Sequence, residues 1–191
     1  MNVVEFIEGL NLFDILVAFF VSAFFVVGYI QGTLRRALGL AIALVSLLIA
    51  LNLRDPLGAW LAQYWTHLPR LYVEMLAAGG SFLTVYIAGS IAVQVFYRRT
   101  ALFAKASAVD EFIGGVLGAF QALLLVGTVV LILDSFYAQP RSVVAAGELG
   151  LLRDIYNFYD ASQVVDVFRT SLLPLFFAIF GWIVPSDLDP R

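Results

Sequence analysis

Residues 108–127 read AVDEFIGGVLGAFQALLLVG. Two carboxylates, Asp110 and Glu111, stand directly before an apolar run, and Gly114, Gly115 and Gly118 follow at once. In water such a segment is a poor helix, because glycine costs backbone entropy. In lipid the same letters read differently. Backbone groups there must be satisfied within the segment, so a long apolar run is a helix. Small residues four apart, Gly114 and Gly118, let a second helix approach to backbone contact. The acids stay in the headgroup zone, where a carboxylate such as Asp110 can cap a helix N-terminus and favours the positive end of its dipole.

The whole chain agrees with a membrane reading. Its 191 residues are 62% hydrophobic and only 13% charged, with a mean hydropathy of +0.94. A soluble domain carries about 25% charged residues, so this chain could not cover its own surface in water. A helix crosses the hydrocarbon core with about 20 apolar residues. Four segments meet that length or come near it, at residues 12–31, 36–53, 74–97 and 114–136. None shows the period-two alternation of an outer-membrane strand.

The expected architecture is an all-α integral membrane protein. It is a four-transmembrane-helix bundle with amphipathic helices on the outer face, forming one membrane domain over residues 1–191. A fifth apolar run, SLLPLFFAIFGWIVP at residues 171–185, is short and interrupted by Pro174 and Gly181. It reads as a C-terminal interfacial or re-entrant helix. The alternative, a fifth span, would move the C-terminus across the membrane.

Basic residues in short loops set orientation. Arg35 and Arg36 lie between the first two spans, and Arg98, Arg99 and Lys105 between the third and fourth. Those five face two acids, whereas the rest of the chain carries six basic residues and twelve acids. Both basic loops are therefore expected on the cytoplasmic side, with the N-terminus and C-terminus outside. The stretch MNVVEFIEGLNLFD has no basic residue, so it is not a cleaved signal peptide and the first span is retained. In DPLGAWLAQYWTHLPRLY, Asp55 is the expected N-cap of an outer surface helix with Pro56 at its first position. Trp60, Tyr64 and Trp65 suit the headgroup zone. The tail at residues 138–170 reads as short amphipathic helices.

Catalytic chemistry finds little support. There is no cysteine and one histidine, His67, so neither a thiol nucleophile nor a zinc site can be assembled from them. No nucleophile–base pair, phosphate loop or dinucleotide fingerprint is present. The chain is expected not to be an enzyme, to need no cofactor or metal, and to bind no nucleic acid. Its expected partners are the lipid bilayer and other membrane proteins or further copies of itself. Asp14, Gln94 and Gln121 form a candidate polar path, because an ionisable or amide group within a span is a functional hypothesis. Asp134 reads as an ordinary helix end.

The glycine spacing recurs in GYIQGTLRR, with Gly28 and Gly32 four apart before Arg35, and predicts a tight hairpin or a bend at Gly32. Taken in order, Asp14, then Gly28, Gly32 and Arg35, then Asp110, Gly114 and Gly118 resemble the colicin V production protein (CvpA-type) family. The resemblance covers roughly residues 10–137. Where that family often has an acid after the arginine, this chain has Arg36. Where it often has an arginine and a third glycine in the fourth span, this chain has Gln121 and Ala122.

The resemblance implies a bacterial inner-membrane protein with an accessory or scaffold role in bacteriocin or toxin production or export and in envelope stress tolerance. The alternative is a small oligomeric channel or transporter for an ion or small solute. On the packing reading, Gly118→Leu should abolish helix packing while Gln121→Ala is tolerated.

Overall fold

The computed structural model describes residues 11–96, 107–138 and 148–184. Those residues form seven α-helices and a π-helical turn. In order they are α1 Leu12–Gln31, α2 Thr33–Leu61, α3 Arg70–Phe96, α4 Ser107–Tyr137, α5 Gly150–Asp160, α6 Gln163–Val167, the π turn Phe168–Leu172 and α7 Leu173–Phe180. No strand occurs among them. Five helical stretches are long and apolar enough to cross a membrane, namely α1 to α4 and the continuous run from α6 through α7, Gln163–Phe180.

α1 keeps the expected bounds 12–31, while α2 and α4 run beyond theirs, and each boundary has a physical cause. α1 starts where Asn11 accepts from the Asp14 backbone and the Asp14 carboxylate returns the bond to Asn11 N–H at 2.9 Å, a capping box. α1 ends at Gly32, which has φ +79° and is the one described residue in the left-handed region. That conformation favours glycine, and α2 restarts at the next residue. α4 begins at Ser107, a full turn ahead of the acids, so Asp110 lies inside the first turn.

Asp55 is not an N-cap. α2 runs through Asp55 and Pro56 to Leu61, and Asp55 instead pairs with Arg54 at 3.2 Å. Beyond Pro56, Gly58 packs against Glu74 of α3, where an added Cβ would fall 2.6 Å from Glu74 Cγ. Trp60 and Tyr64 remain exposed at this end.

Consecutive long helices run antiparallel, so α2 and α4 run parallel to each other. α1 lies chiefly along α4, while α2 packs along α3 and α4. One end of the bundle carries the Gly32 junction and the start of α4. It is the basic end. The opposite, acidic end gathers Asp14, Asp55, Glu74 and Asp134. The apolar core sits in the half nearer the acidic end. Leu47 and Leu51 of α2 meet Tyr72 and Met75 of α3 and Val130 and Phe136 of α4, with Tyr159, Val165 and Phe177 laid over them.

α5 to α7 cover the acidic end. Phe168 in the π turn fills the gap left by Gly127, where a Cβ would stand 2.6 Å from its ring. Beyond α7, Asn52 of α2 donates to the Ile183 carbonyl at 3.1 Å.

Candidate functional site

Two helix termini and a crossing meet at the basic end. Gly28 and Gly32 of the first motif face Gly114 and Gly118 of the second. A Cβ on Gly114 would lie 2.6 Å from the Gly28 carbonyl oxygen and 2.7 Å from the Gly32 carbonyl carbon. One on Gly118 would collide with the Phe24 carbonyl oxygen, and one on Gly28 with that of Gly114. All these obstacles are backbone, which cannot swing aside. The four glycines therefore bring α1 and α4 to main-chain contact, the geometry that small residues permit in lipid.

Asp110 works across this crossing. Its Oδ1 accepts from the Thr33 backbone N–H at 3.4 Å, and the Thr33 hydroxyl donates to the Asp110 carbonyl at 2.9 Å. Thr33 is the first residue of α2, whose preceding Gly32 has no side chain to cap it. The acid expected beside its own helix start thus caps a different helix, and its negative charge meets that helix's positive end. Asp110 is buried. Glu111, its neighbour, hydrogen-bonds Tyr29 of α1.

One turn into α2, Arg36 is only 7% exposed. Its guanidinium lies over the Phe24 ring, 5.3 Å from the centroid, and Nη1 donates to Gln121 Oε1 at 3.0 Å. Gln121 Nε2 in turn donates to the Tyr86 hydroxyl at 3.1 Å. All four long helices therefore contribute to one polar contact. Sequence reading assigned Arg36 to topology alone and had no signal for Tyr86, because the contact joins positions 85 and 35 residues apart.

A second polar cluster closes the acidic end. The Asp14 carboxylate accepts from the Ser162 hydroxyl and from Val164 N–H, the latter at 3.0 Å. Asp14 therefore anchors α6 to α1, and its partners are neutral donors. Asp134 is more than a helix end. Arg169 grips it through Nε at 2.7 Å and Nη2 at 2.8 Å, the Tyr159 hydroxyl donates to it at 3.0 Å, and Arg169 Nη1 reaches Asp160 at 2.9 Å. Burial, with the Asp134 carboxylate next to it, pushes the Tyr159 phenol far above its usual value. On α3, Glu74 meets Arg70 at 2.7 Å and Arg54 at 3.5 Å.

The candidate polar path does not assemble into one group. Asp14 and Gln121 belong to separate clusters with no shared partner, and Gln94 is exposed on α3. Arg35 is half-buried beside Arg36. Arg98, Arg99 and Lys105 lie outside the described residues. His67 is exposed, and no group of three potential metal ligands forms among the described residues.

Two apolar grooves flank α4. One of about 370 Å³ runs between α2 and α4 beneath α7, along Leu40, Leu44 and Phe176. The other, of about 460 Å³, opens where α1 and α4 diverge above the crossing, along Leu16, Phe20 and Val129.

A bundle of long apolar helices packed through glycines and tied by polar groups at its ends defines a multi-pass helical membrane protein. Residues 13–171 match the model of the colicin V production protein family, and the chain belongs to that family. Comparison with curated proteins and with solved structures finds no match.

Proposed function

We propose that this protein is a membrane scaffold of the inner membrane, acting as an accessory in colicin-type toxin production or export and in envelope homeostasis through contacts with other membrane proteins. The observation that carries this reading is the α1–α4 crossing. Backbone contact at Gly28, Gly114 and Gly118 makes a rigid frame, and the centre of the bundle is filled by Ala43, Ala50 and Ala122 at 0% exposure. Broad apolar faces remain outside that frame, including Leu83, Ile87 and Ile91 of α3. A frame with a solid centre and free sides suits holding partners better than conducting solute.

Four helices, α1 to α4, cross the bilayer in this proposal, with the basic end cytoplasmic and both termini outside. Gln163–Phe180 is long enough for a fifth crossing at about 27 Å. Both of its flanks, however, touch the same end of the bundle, Ser162 on Asp14 and Ile183 on Asn52. Counted along α2 at 1.5 Å per residue, Asn52 lies about 28 Å from Thr33 at the basic end. These two contacts support a segment that begins and ends at the acidic end rather than crossing. Charge bias assigns that end to the outside.

Flux of ions and small solutes through purified protein in liposomes tests the scaffold reading. Folded, inserted protein is expected to give no flux above empty vesicles. Flux that scales with inserted protein would replace the scaffold with a channel or transporter.

A further inference from the structure

We propose that Arg36 is the centre of a binding site for a small inorganic anion, chloride or one of similar size, at the junction of α1, α2, α3 and α4. The inference goes beyond the scaffold reading and does not rest on it. It starts from a charge with no carboxylate partner among the described residues. Arg36 is 93% buried, and taking a guanidinium out of water costs several kcal/mol unless an anion and hydrogen bonds offset it.

Among the described residues, no acid supplies that anion at salt-bridge distance. In sequence, Asp110 and Glu111 are the carboxylates of the basic half, and every other acid belongs to the acidic end or the terminal segments. Asp110 bonds Thr33 and Glu111 bonds Tyr29, and neither forms an ion pair with Arg36. Gln121, the partner Arg36 does have, is neutral.

Donor counting sharpens the point. Arg36 Nε is buried with no hydrogen-bond partner. Gln121 Oε1 is already taken by Nη1, while Gln121 Nε2 carries a second proton besides the one given to Tyr86. The Tyr86 hydroxyl accepts that bond and keeps its own proton to donate. Three side chains thus hold surplus N–H and O–H donors and one full positive charge around two neutral acceptors, each already taken. Such a cluster asks for an acceptor bearing negative charge.

Size follows from the surroundings. The Phe24 ring closes one side of the guanidinium, Gly39 packs against the Gln121 amide at 3.0 Å from an added Cβ, and neither large groove is walled by Arg36. With no groove at Arg36 to take a phosphate or a lipid headgroup, the proposed occupant is a monatomic anion. Arg35, next along α2 and half-buried, adds a second positive charge on the approach from the basic end.

The test compares thermal unfolding of the purified full chain in chloride and in gluconate at one ionic strength. Chloride at a hundredfold excess over its Kd is expected to raise Tm by about 5–10 °C. Gln121→Glu keeps the side-chain shape and supplies the missing carboxylate. It is expected to raise Tm in gluconate and to abolish the chloride shift. Arg153→Gln, on α5 at the other end, should keep the shift intact. A wild-type Tm indifferent to chloride means that water satisfies the guanidinium and overturns the site. A chloride shift that survives Gln121→Glu places any binding elsewhere and overturns it equally.

Discussion

Gly118 and Gln121 sit three residues apart on α4, and substitutions at the two test different physics. At Gly118 any side chain meets the Phe24 carbonyl, and main chain on a packed helix cannot rotate away. Gly118→Leu is expected to cost at least about 3 kcal/mol, beyond ordinary overpacking, and to separate α1 from α4. Gly115→Ala is milder, because its Cβ meets the Phe25 ring at 2.9 Å, and a ring edge can shift; about 1 kcal/mol is expected. Thermal unfolding of both variants in detergent checks the contrast, and equal losses would remove the backbone-contact argument. Gln121→Ala, tolerable on sequence grounds, is no longer so once the amide is seen to accept from a buried guanidinium. Losing a hydrogen bond to a charged group should cost about 2–3 kcal/mol, and an unchanged Tm would show that Arg36 does not depend on it. The glycines were legible because their spacing is local to each helix. The destination of Arg36 was not, since nothing in RR after a glycine says whether a side chain turns toward headgroups or inward toward an amide 85 positions away.

At the scale of elements, α5, α6 and α7 are held on the bundle by a few polar contacts set among aromatic rings. Asp134 is the largest of these anchors, taking two bonds from Arg169 and one from Tyr159. Asp134→Ala is expected to release α5 and α6 from α4 at a cost of about 2–3 kcal/mol while leaving the glycine crossing intact. Faster hydrogen exchange confined to residues 150–172 would report that release, and uniform protection would contradict it. The same cover should be sensitive to alkali. Tyr156 and Tyr159 are both shifted upward from a phenol's usual 10.0, chiefly by burial, with Asp160 and Asp134 respectively adding to it. A phenol whose folded value is raised favours folding below its unfolded value, and that contribution is lost as pH climbs past about 10. Tyrosinate absorbance should therefore lag behind that of exposed tyrosines and then rise together with loss of α5 protection. The sequence marked these helices as amphipathic, yet read Asp134 as a helix end. Its partner Arg169 stands 35 positions away, on the amphipathic tail, where periodicity does not say which acid a basic residue meets.

For the molecule as a whole, the question is which helices cross the bilayer, and length alone answers it ambiguously. Five stretches qualify by hydropathy, and the proposed topology uses contacts at the ends to separate four from the fifth. A helix that crosses must have its ends at opposite faces; Gln163–Phe180 has Asp14 at one flank and Asn52 beyond the other, both toward the acidic end. The segment is helical throughout, with the π turn at Phe168–Leu172 and Pro174 in the first turn of α7, and it seats Phe168 on Gly127 and Arg169 on Asp134. The chain contains no cysteine, so single cysteines can be placed without background. Asn157→Cys on α5 and Trp182→Cys after α7 occupy exposed positions on either side of the segment. In sealed, right-side-out vesicles, a membrane-impermeant maleimide is expected to label both from the outside and to leave Arg35→Cys unlabelled until the vesicles are opened. Labelling of Asn157→Cys from outside with Trp182→Cys protected would make Gln163–Phe180 a fifth span and carry the C-terminus inward. Labelling of Arg35→Cys from outside would invert the bundle, leaving its packing as described but turning the cap of α5 to α7, and any partner it receives, toward the cytoplasm.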